Sequence, residues 1–273
     1  ILLVAAAARA DPPASFEPPY ETSFRIIDMP PIQPGQSLEG WTGWRVPRGQ
    51  ATVDPFGGPN EAPAVILAPQ TIIRRPILAT GEPVVWTLTQ IRTAGGDTQL
   101  GELPTRPLAA AVAFDASAGL YALDGDGAGG GTPVALGIGL GGGASWRTIA
   151  IRHSYPRQRY DVYVDGTIRA ARLGFRDFVP EHHGLLQGTD NSEARLNRIS
   201  ITTTTPPGIP HLLGDVTTNG AVTIADLVGL INALNGAPLT LQQDVNADID
   251  ESGTVTAADR DLLIEMLLGI AVP

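Results

Sequence analysis

The sequence predicts a mostly β chain: a jelly-roll β-sandwich followed by a small α-helical module. Three observations carry this reading. Over residues 20–205, short runs rich in Val, Ile, Thr and Tyr alternate with Gly and Pro clusters, with no long helical pattern among them. A Pro-rich stretch at residues 206–210 then breaks the composition. Beyond it the apolar spacing turns helical twice, each time directly after a twelve-residue acidic loop.

The strands expected, in chain order, are Ser23–Ile27, Ala51–Val53, Ala64–Leu67, Val84–Gln90, Ala110–Phe114, Val134–Ile138, Trp146–Ile151, Tyr160–Val164, Thr167–Arg172 and Leu196–Thr203. They fill a sandwich over residues 16–205. The sharpest local signal is Tyr160-Asp-Val-Tyr-Val-Asp165-Gly166-Thr-Ile-Arg-Ala170. Asp-Gly between two alternating runs is the usual type I′ turn of a two-residue hairpin. Residues 206–210 form a stiff linker, and the helical module occupies 211–273. There Leu227, Leu230, Ile231 and Leu234 fall at i, i+3, i+4, i+7, and Leu262, Leu263, Met266 and Leu267 share a face in the same way. The two stripes are expected to pack on each other as one small core. No helix pattern precedes either loop.

The chain has 273 residues and a formal net charge of −10, unevenly spread. Residues 211–273 hold nine acids against one Arg, so the acidity belongs to the helical module. All eighteen basic residues are Arg, which reads as coding bias. No basic patch or basic-aromatic stripe points to nucleic acid. Residues 1–10 read as the end of a signal-peptide core with a small-x-small site at Ala8-Arg9-Ala10, followed abruptly by Asp11-Pro12-Pro13. This apolar run is too short to span a bilayer. The expectation is therefore an exported chain, secreted or at the surface of a bacterial cell, with no membrane span. The chain has no Cys, which excludes disulfides and thiol chemistry.

The two acidic loops carry the chemistry. The first runs Asp215-Val-Thr-Thr-Asn-Gly-Ala-Val-Thr-Ile-Ala-Asp226; the second, 33 residues later, runs Asp248-Ile-Asp-Glu-Ser-Gly-Thr-Val-Thr-Ala-Ala-Asp259. Both place oxygen-bearing side chains at the first, third, fifth, ninth and twelfth positions and glycine at the sixth, Gly220 and Gly253. This is the spacing of an EF-hand-type calcium loop. Ca²⁺ takes six to eight oxygens, and alternate residues of a curled loop can all point inward. The first set is Asp215, Thr217, Asn219, Thr223 and Asp226, completed by the Ala221 carbonyl. The second is Asp248, Asp250, Ser252, Thr256 and Asp259, completed by the Thr254 carbonyl. Two calcium ions are expected. The second site, with three carboxylates against two, is expected to bind more tightly.

Loop then helix, twice, with Asp rather than Glu in the last place, resembles the dockerin type I family. The phrases Gly214-Asp215-Val216, Asp226-Leu227 and Val255-Thr256 with Asp259 carry the resemblance, over about residues 211–269. It implies calcium binding and docking to a cohesin-like protein. It also implies that the tenth and eleventh loop residues choose the partner: Ile224 and Ala225 in the first copy, Ala257 and Ala258 in the second. These are small or apolar, so paired hydroxyls are absent there.

Trp146-Arg-Thr-Ile-Ala-Ile151 followed by Tyr160-Asp-Val-Tyr-Val-Asp-Gly166 resembles the laminin-G-like, concanavalin A-like lectin/glucanase sandwiches. That resemblance implies the fold and a polysaccharide or glycan ligand. Sugar recognition needs exposed aromatic faces, and Trp41 and Trp44, beside a Gly-rich segment, are the candidates; Trp86 and Trp146 lie within strand patterns and are expected in the core. No Glu-x-Asp-x-Glu strand, Gly-x-Ser-x-Gly elbow, phosphate loop or zinc spacing occurs, so no catalytic residue is assigned. Asp124-Gly-Asp126, Asp190-Asn-Ser-Glu193 and His182-His183 read as surface features. The leading reading is an exported, non-catalytic binding protein with a calcium-dependent attachment module. The alternatives are a glycoside hydrolase or accessory protein of polysaccharide degradation, and a structural cell-surface protein.

Overall fold

The computed structural model describes residues 2–6, 20–22, 24, 33–41, 44–76, 81–93, 108–115, 119–139, 145–181, 184–188 and 193–270. Their strands form two antiparallel sheets. One has the order β10 (Gly131–Ile138), β9 (Gly119–Gly125), β8 (Leu108–Asp115), β1 (Leu2–Ala6), β14 (Gly184–Gly188), β6 (Ile72–Pro76), β3 (Arg45–Arg48). The other runs β13 (Thr167–Gly174), β12 (Arg159–Val164), β11 (Arg147–Ser154), β7 (Val84–Thr93), β15 (Ala194–Thr202), β5 (Ala64–Leu67), β4 (Ala51–Asp54). β2 (Tyr20–Thr22) pairs with the half of β15 that β5 leaves uncovered. The chain crosses from sheet to sheet repeatedly, at β1–β2, β2–β3, β3–β4, β5–β6, β6–β7, β7–β8, β10–β11, β13–β14 and β14–β15. Neighbours in a sheet are therefore often distant in sequence.

Inward residues of both sheets make one core, including Val112, Phe114, Leu120 and Leu136 from the first and Ile149, Ile151, Val162, Val164, Leu196 and Ile199 from the second. This is the mostly β sandwich expected. Tyr160 on β12 ties the layers together. Its buried hydroxyl donates to the Leu123 carbonyl and lies 3.2 Å from that of Ala111, both in the opposite sheet.

The hairpin forms where expected. Val164 pairs with Thr167, and Asp165 and Gly166 both take left-handed backbone, φ 51° and 77°. Nine of the ten expected strands match observed ones within a few residues. The tenth, Ser23–Ile27, lies outside the described residues except for Phe24, which is left-handed at φ 55° and follows β2. Leu2–Ala6, expected to end a leader, is β1 here, paired to β8 and β14. An apolar extended run suits a leader core and a sheet equally.

Trp41 and Trp44 do not offer themselves to a ligand. Trp44 is fully buried and donates its indole N–H to the Tyr20 hydroxyl at 3.0 Å. Trp41 is 7% exposed, and both rings pack beside Phe24, with centroids 6.0 and 6.2 Å away. The bend that a neighbouring glycine allows turned these rings inward, where an indole buries most area. Trp86 is buried, but on the outer face of the second sheet rather than in the sandwich core, and Trp146 is half-buried.

The helical module holds α1 (Ile224–Leu234), α2 (Leu241–Ala247) and α3 (Ala257–Leu267). α1 and α3 are the expected helices, and Leu230 and Leu263 meet in a core with Val216, Ala247 and Ile249. Ile231 and Leu234 were expected in that core; they are 39% and 37% exposed, because the module is too small to cover a full helical stripe. α2 corrects the expectation that no helix precedes a loop: it runs into Asp248. Its signal was legible as a capping box, Thr240-Leu-Gln-Gln243, in which Gln243 N–H donates to the Thr240 side chain at 3.3 Å and Thr240 N–H to Gln243 Oε1 at 3.0 Å.

The module is seated on the outer face of the second sheet. Val245 of α2 and Ile209 of the linker pack against Trp86, Leu88, Ala150, Tyr163 and Ile168. Half-buried His211 lies against Trp86 and Tyr163, its Nδ1 3.2 Å from the Tyr163 hydroxyl. Burial, and then the nearby Arg152 charge, push this imidazole down to about 3 from its ordinary 6.5. The unfolded chain thus takes up a proton near pH 6.5 that the folded chain refuses until about pH 3, so this group's contribution is present at neutral pH and lost as pH falls between those values. Thermal unfolding at pH 7, 5 and 4 is expected to show a shallower loss of stability in His211→Phe than in the parent. An equal slope would remove His211 from the acid response.

Candidate metal centres

Both loops curl in the same way. The fourth residue of each takes left-handed backbone, Thr218 at φ 57° and Glu251 at φ 53°, and the sixth does so again, Gly220 at φ 88° and Gly253 at φ 99°. These values explain the glycines: at such φ an ordinary side chain is strained. The sixth-position N–H then points back at the first acid. Gly220 N–H donates to Asp215 at 2.8 Å and Gly253 N–H to Asp248 at 3.0 Å.

The twelfth-position acids close the loops. Asp226 accepts from the Thr217 N–H and hydroxyl on one oxygen, at 2.7 and 2.8 Å, and from the Thr223 N–H and hydroxyl on the other, at 2.8 and 2.9 Å. Asp259 accepts from the Asp250 N–H at 3.1 Å and from the Thr256 N–H and hydroxyl at 2.8 and 3.2 Å. Each of these acids is also the third residue of its helix, completing a capping box with Thr223 or Thr256. One side chain therefore caps the helix and joins the two halves of the loop. That double duty favours the shorter Asp over Glu. All four end acids, Asp215, Asp226, Asp248 and Asp259, are buried.

Electrostatics separate the loops. Burial raises the Asp226 carboxyl, but the four hydrogen bonds from Thr217 and Thr223 outweigh it and hold the group below its usual range. At Asp248 burial prevails, with Asp259 adding to it against Arg172 and the Gly253 N–H, and the carboxyl is held above its usual range. The second loop brings one carboxylate oxygen each from Asp248, Asp250 and Asp259 within 4.8 Å of one another. Three converging oxygens on a left-handed turn, with the Ser252 hydroxyl 3.5 Å from Asp248, are the donor chemistry of a hard divalent cation. In the first loop Asn219 accepts from the Ala221 N–H at 2.9 Å, and Thr217 and Thr223 are neutral donors. In the second, the Thr254 carbonyl accepts from Ser252 at 3.1 Å.

Ile224, Ala225, Ala257 and Ala258 all lie exposed at the first turns of α1 and α3. Ile224, Val228 and Ile231 extend an open apolar stripe along α1. In the sandwich, Asp126 accepts from the Ala128 and Gly130 N–H groups at 2.8 and 2.9 Å, and Asp124 from Gly174 N–H at 2.7 Å, so this loop is a self-closed surface turn. Glu193 pairs with Arg195 at 3.1 Å, while residues 190–192 and His182-His183 lie outside the described residues. Sequence spacing gave no sign of Arg152, Arg157 and Arg172, which the fold brings from the sandwich to the second loop. The last lies 76 residues from its acid.

Residues 213–268 match the family described as Dockerin type I domain, and the loop geometry accords with that assignment for this part of the chain. Dockerin domains in general bind calcium and cohesins. No curated protein matches the chain. Among solved structures it is similar to a sialidase, with TM-score 0.45 and 11% identity over 75% of this chain and 20% of that one. It is also similar to the binding domain of Paraclostridial Mosquitocidal Protein 1, with TM-score 0.43 and 12% identity over 63% of this chain and 48% of that one. Domain 4 of AbnA, a GH43 extracellular arabinanase from Geobacillus stearothermophilus, gives TM-score 0.38 and 14% identity over 68% of this chain and 82% of that one. These scores are too low to carry fold or function, and the chain spans less than half the length of the first two. No helix among the described residues is long and apolar enough to cross a membrane.

Truncating Asp226 to Ala would strip the partners from two backbone N–H groups and two hydroxyls at once. A loss of about 2–4 kcal/mol is expected, since each unsatisfied buried donor costs about 1–3 kcal/mol and water reaches some of them. Urea unfolding followed by helix ellipticity checks this; a midpoint unchanged from the parent would contradict the closing role of Asp226.

Proposed function

We propose that this chain is an exported binding protein that attaches to a protein partner through its C-terminal module in a calcium-dependent manner. The observation that carries this is the duplicated loop: two copies with the same left-handed turn at the fourth and sixth positions and the same closing acid. Two ions are taken up. The first is held by Asp215, Thr217, Asn219, Thr223, Asp226 and the Ala221 carbonyl. The second is held by Asp248, Asp250, Ser252, Thr256, Asp259 and the Thr254 carbonyl. The second binds more tightly because three carboxylates converge on it. The partner is of cohesin type and lies against the open stripe of α1, Ile224, Val228 and Ile231, with Ala225, Ala257 and Ala258 beside it; burial of such apolar area is the usual source of docking affinity.

The sandwich is the cargo or ligand-binding part, of concanavalin A-like type, and its ligand is a glycan or a surface partner. Trp41 and Trp44 support the core rather than that ligand. Export to the outside of a bacterial cell accords with a calcium module, since free calcium is abundant there.

Calcium titration of the full chain by calorimetry should give two binding events, the tighter abolished by Asp248→Ala and the weaker by Asp215→Ala. A single event, none, or the reverse assignment would contradict the reading. Against a panel of cohesin domains in calcium, Ile224→Asp with Val228→Asp is expected to weaken any binding at least tenfold, as for loss of a buried apolar anchor. Equal binding would move the partner face elsewhere.

A further inference from the structure

The sandwich reaches into the second loop. Arg172 on β13 donates through Nε to Asp248 Oδ2 at 3.0 Å, through Nη1 to Asp244 Oδ2 at 2.5 Å and through Nη2 to the Asp244 carbonyl at 3.1 Å. Arg157, in the turn between β11 and β12, donates to the Asp250 carbonyl at 2.5 Å. Arg152 on β11 pairs with Glu251, and the Ser154 hydroxyl donates to the other oxygen of that acid at 3.3 Å. Loop positions one, three and four are thus gripped from outside the module. Among the described residues, none of the first loop's hydrogen bonds reaches the sandwich.

Arg172 is aimed by a defect in the sheet. Between the pairs Val162↔Ala170 and Tyr160↔Leu173 the register shifts, β13 carries the extra residue, and Arg172 sits there at φ 57°. A bulge re-aims a side chain. A non-glycine residue held in left-handed backbone marks strain that the surroundings maintain. The Arg172 N–H is tied to Asp161 at 2.8 Å, and Asp161 to Arg152 at 3.4 Å. The choice of oxygen matters as well. Asp248 Oδ2 accepts both Arg172 and the Gly253 N–H, whereas Oδ1 faces the Ser252 hydroxyl at 3.5 Å, itself one of the oxygens proposed to hold the ion. The guanidinium is shared with Asp244, which offsets the repulsion it would exert on an ion.

We propose that the sandwich is the outer shell of the second calcium site: Arg172, helped by Arg157, holds that loop in binding geometry, so that ion binding there and seating of the module on the sandwich favour each other. The inference rests on the calcium reading above. Reciprocity is required by linkage: what docking adds to calcium affinity, calcium adds to docking.

The Gly220 and Gly253 amides, each bonded to the first acid of its own loop, report the two sites separately by ¹⁵N NMR of the full chain during calcium titration. In Arg172→Gln the Gly253 midpoint is expected to rise about tenfold or more, the usual cost of losing an outer-shell partner, while the Gly220 midpoint stays put. Arg172→Lys should recover part of the loss, and Arg157→Ala should shift Gly253 the same way by less. A Gly253 midpoint that stays or falls in Arg172→Gln overturns the proposal. Should that variant lose its folded spectrum, an unmoved Gly253 midpoint in Arg157→Ala overturns it instead. If neither glycine responds to calcium in the parent chain, the calcium reading fails and this inference with it; if both respond and the variants leave the Gly253 midpoint where it is in the parent, the inference alone fails.

Discussion

Excess negative charge in a small module is the constraint on which the rest depends. Residues 211–273 hold nine acids and one Arg, and four of the acids are buried. Buried carboxylates must be hydrogen-bonded, paired or bound to metal. The first loop answers with backbone N–H groups and threonine hydroxyls, enough to hold Asp226 below its usual range. The second answers with fewer internal donors, and Asp248 stays above its usual range. The remaining compensation comes from outside the module, from arginines of the sandwich and, on the proposed reading, from calcium.

That borrowing explains the second sheet. A sandwich usually leaves its outer faces to water, with alternating burial along each strand. Here β11 and β12 are buried on both faces: Ile149, Ile151, Val162 and Val164 look into the core, while Ala150, Arg152, Asp161 and Tyr163 lie under the helical module. Arg152 and Asp161 form a buried ion pair at 3.4 Å, and burial raises the Asp161 carboxyl, partly countered by Arg152. Such a pair adds little stability by itself. It orients: Asp161 fixes the bulge that carries Arg172. The stiff linker runs along the junction and contributes Ile209 to it.

Local patterns were legible. Strand alternation, the Asp165-Gly166 turn and the duplicated loop spacing each depend on contacts within a few residues, and each appears where expected. Failures came where the decision was not local. α2 is short and gets its stability from Val245 against the sheet, although its capping box was there to be read. Trp41 and Trp44 sit in a Gly-rich stretch that reads as exposed, yet Phe24 and Tyr20 close over them from far upstream. Strands such as Arg45–Arg48 and Ile72–Pro76 lack a strong alternation and are defined by the neighbours they pair with.

By itself the sequence determined the mostly β class of the chain, the hairpin register, the two loops with their glycine turns, and the helices that follow them, because period, turn chemistry and loop spacing are all short-range. Only the tertiary structure decided which sheet face the module covers, that Ile231 and Leu234 face out, and that Arg152, Arg157 and Arg172 meet the second loop and not the first. Those outcomes depend on strands that cross repeatedly between sheets and on a one-residue bulge, and no residue's nearest neighbours in the chain encode them.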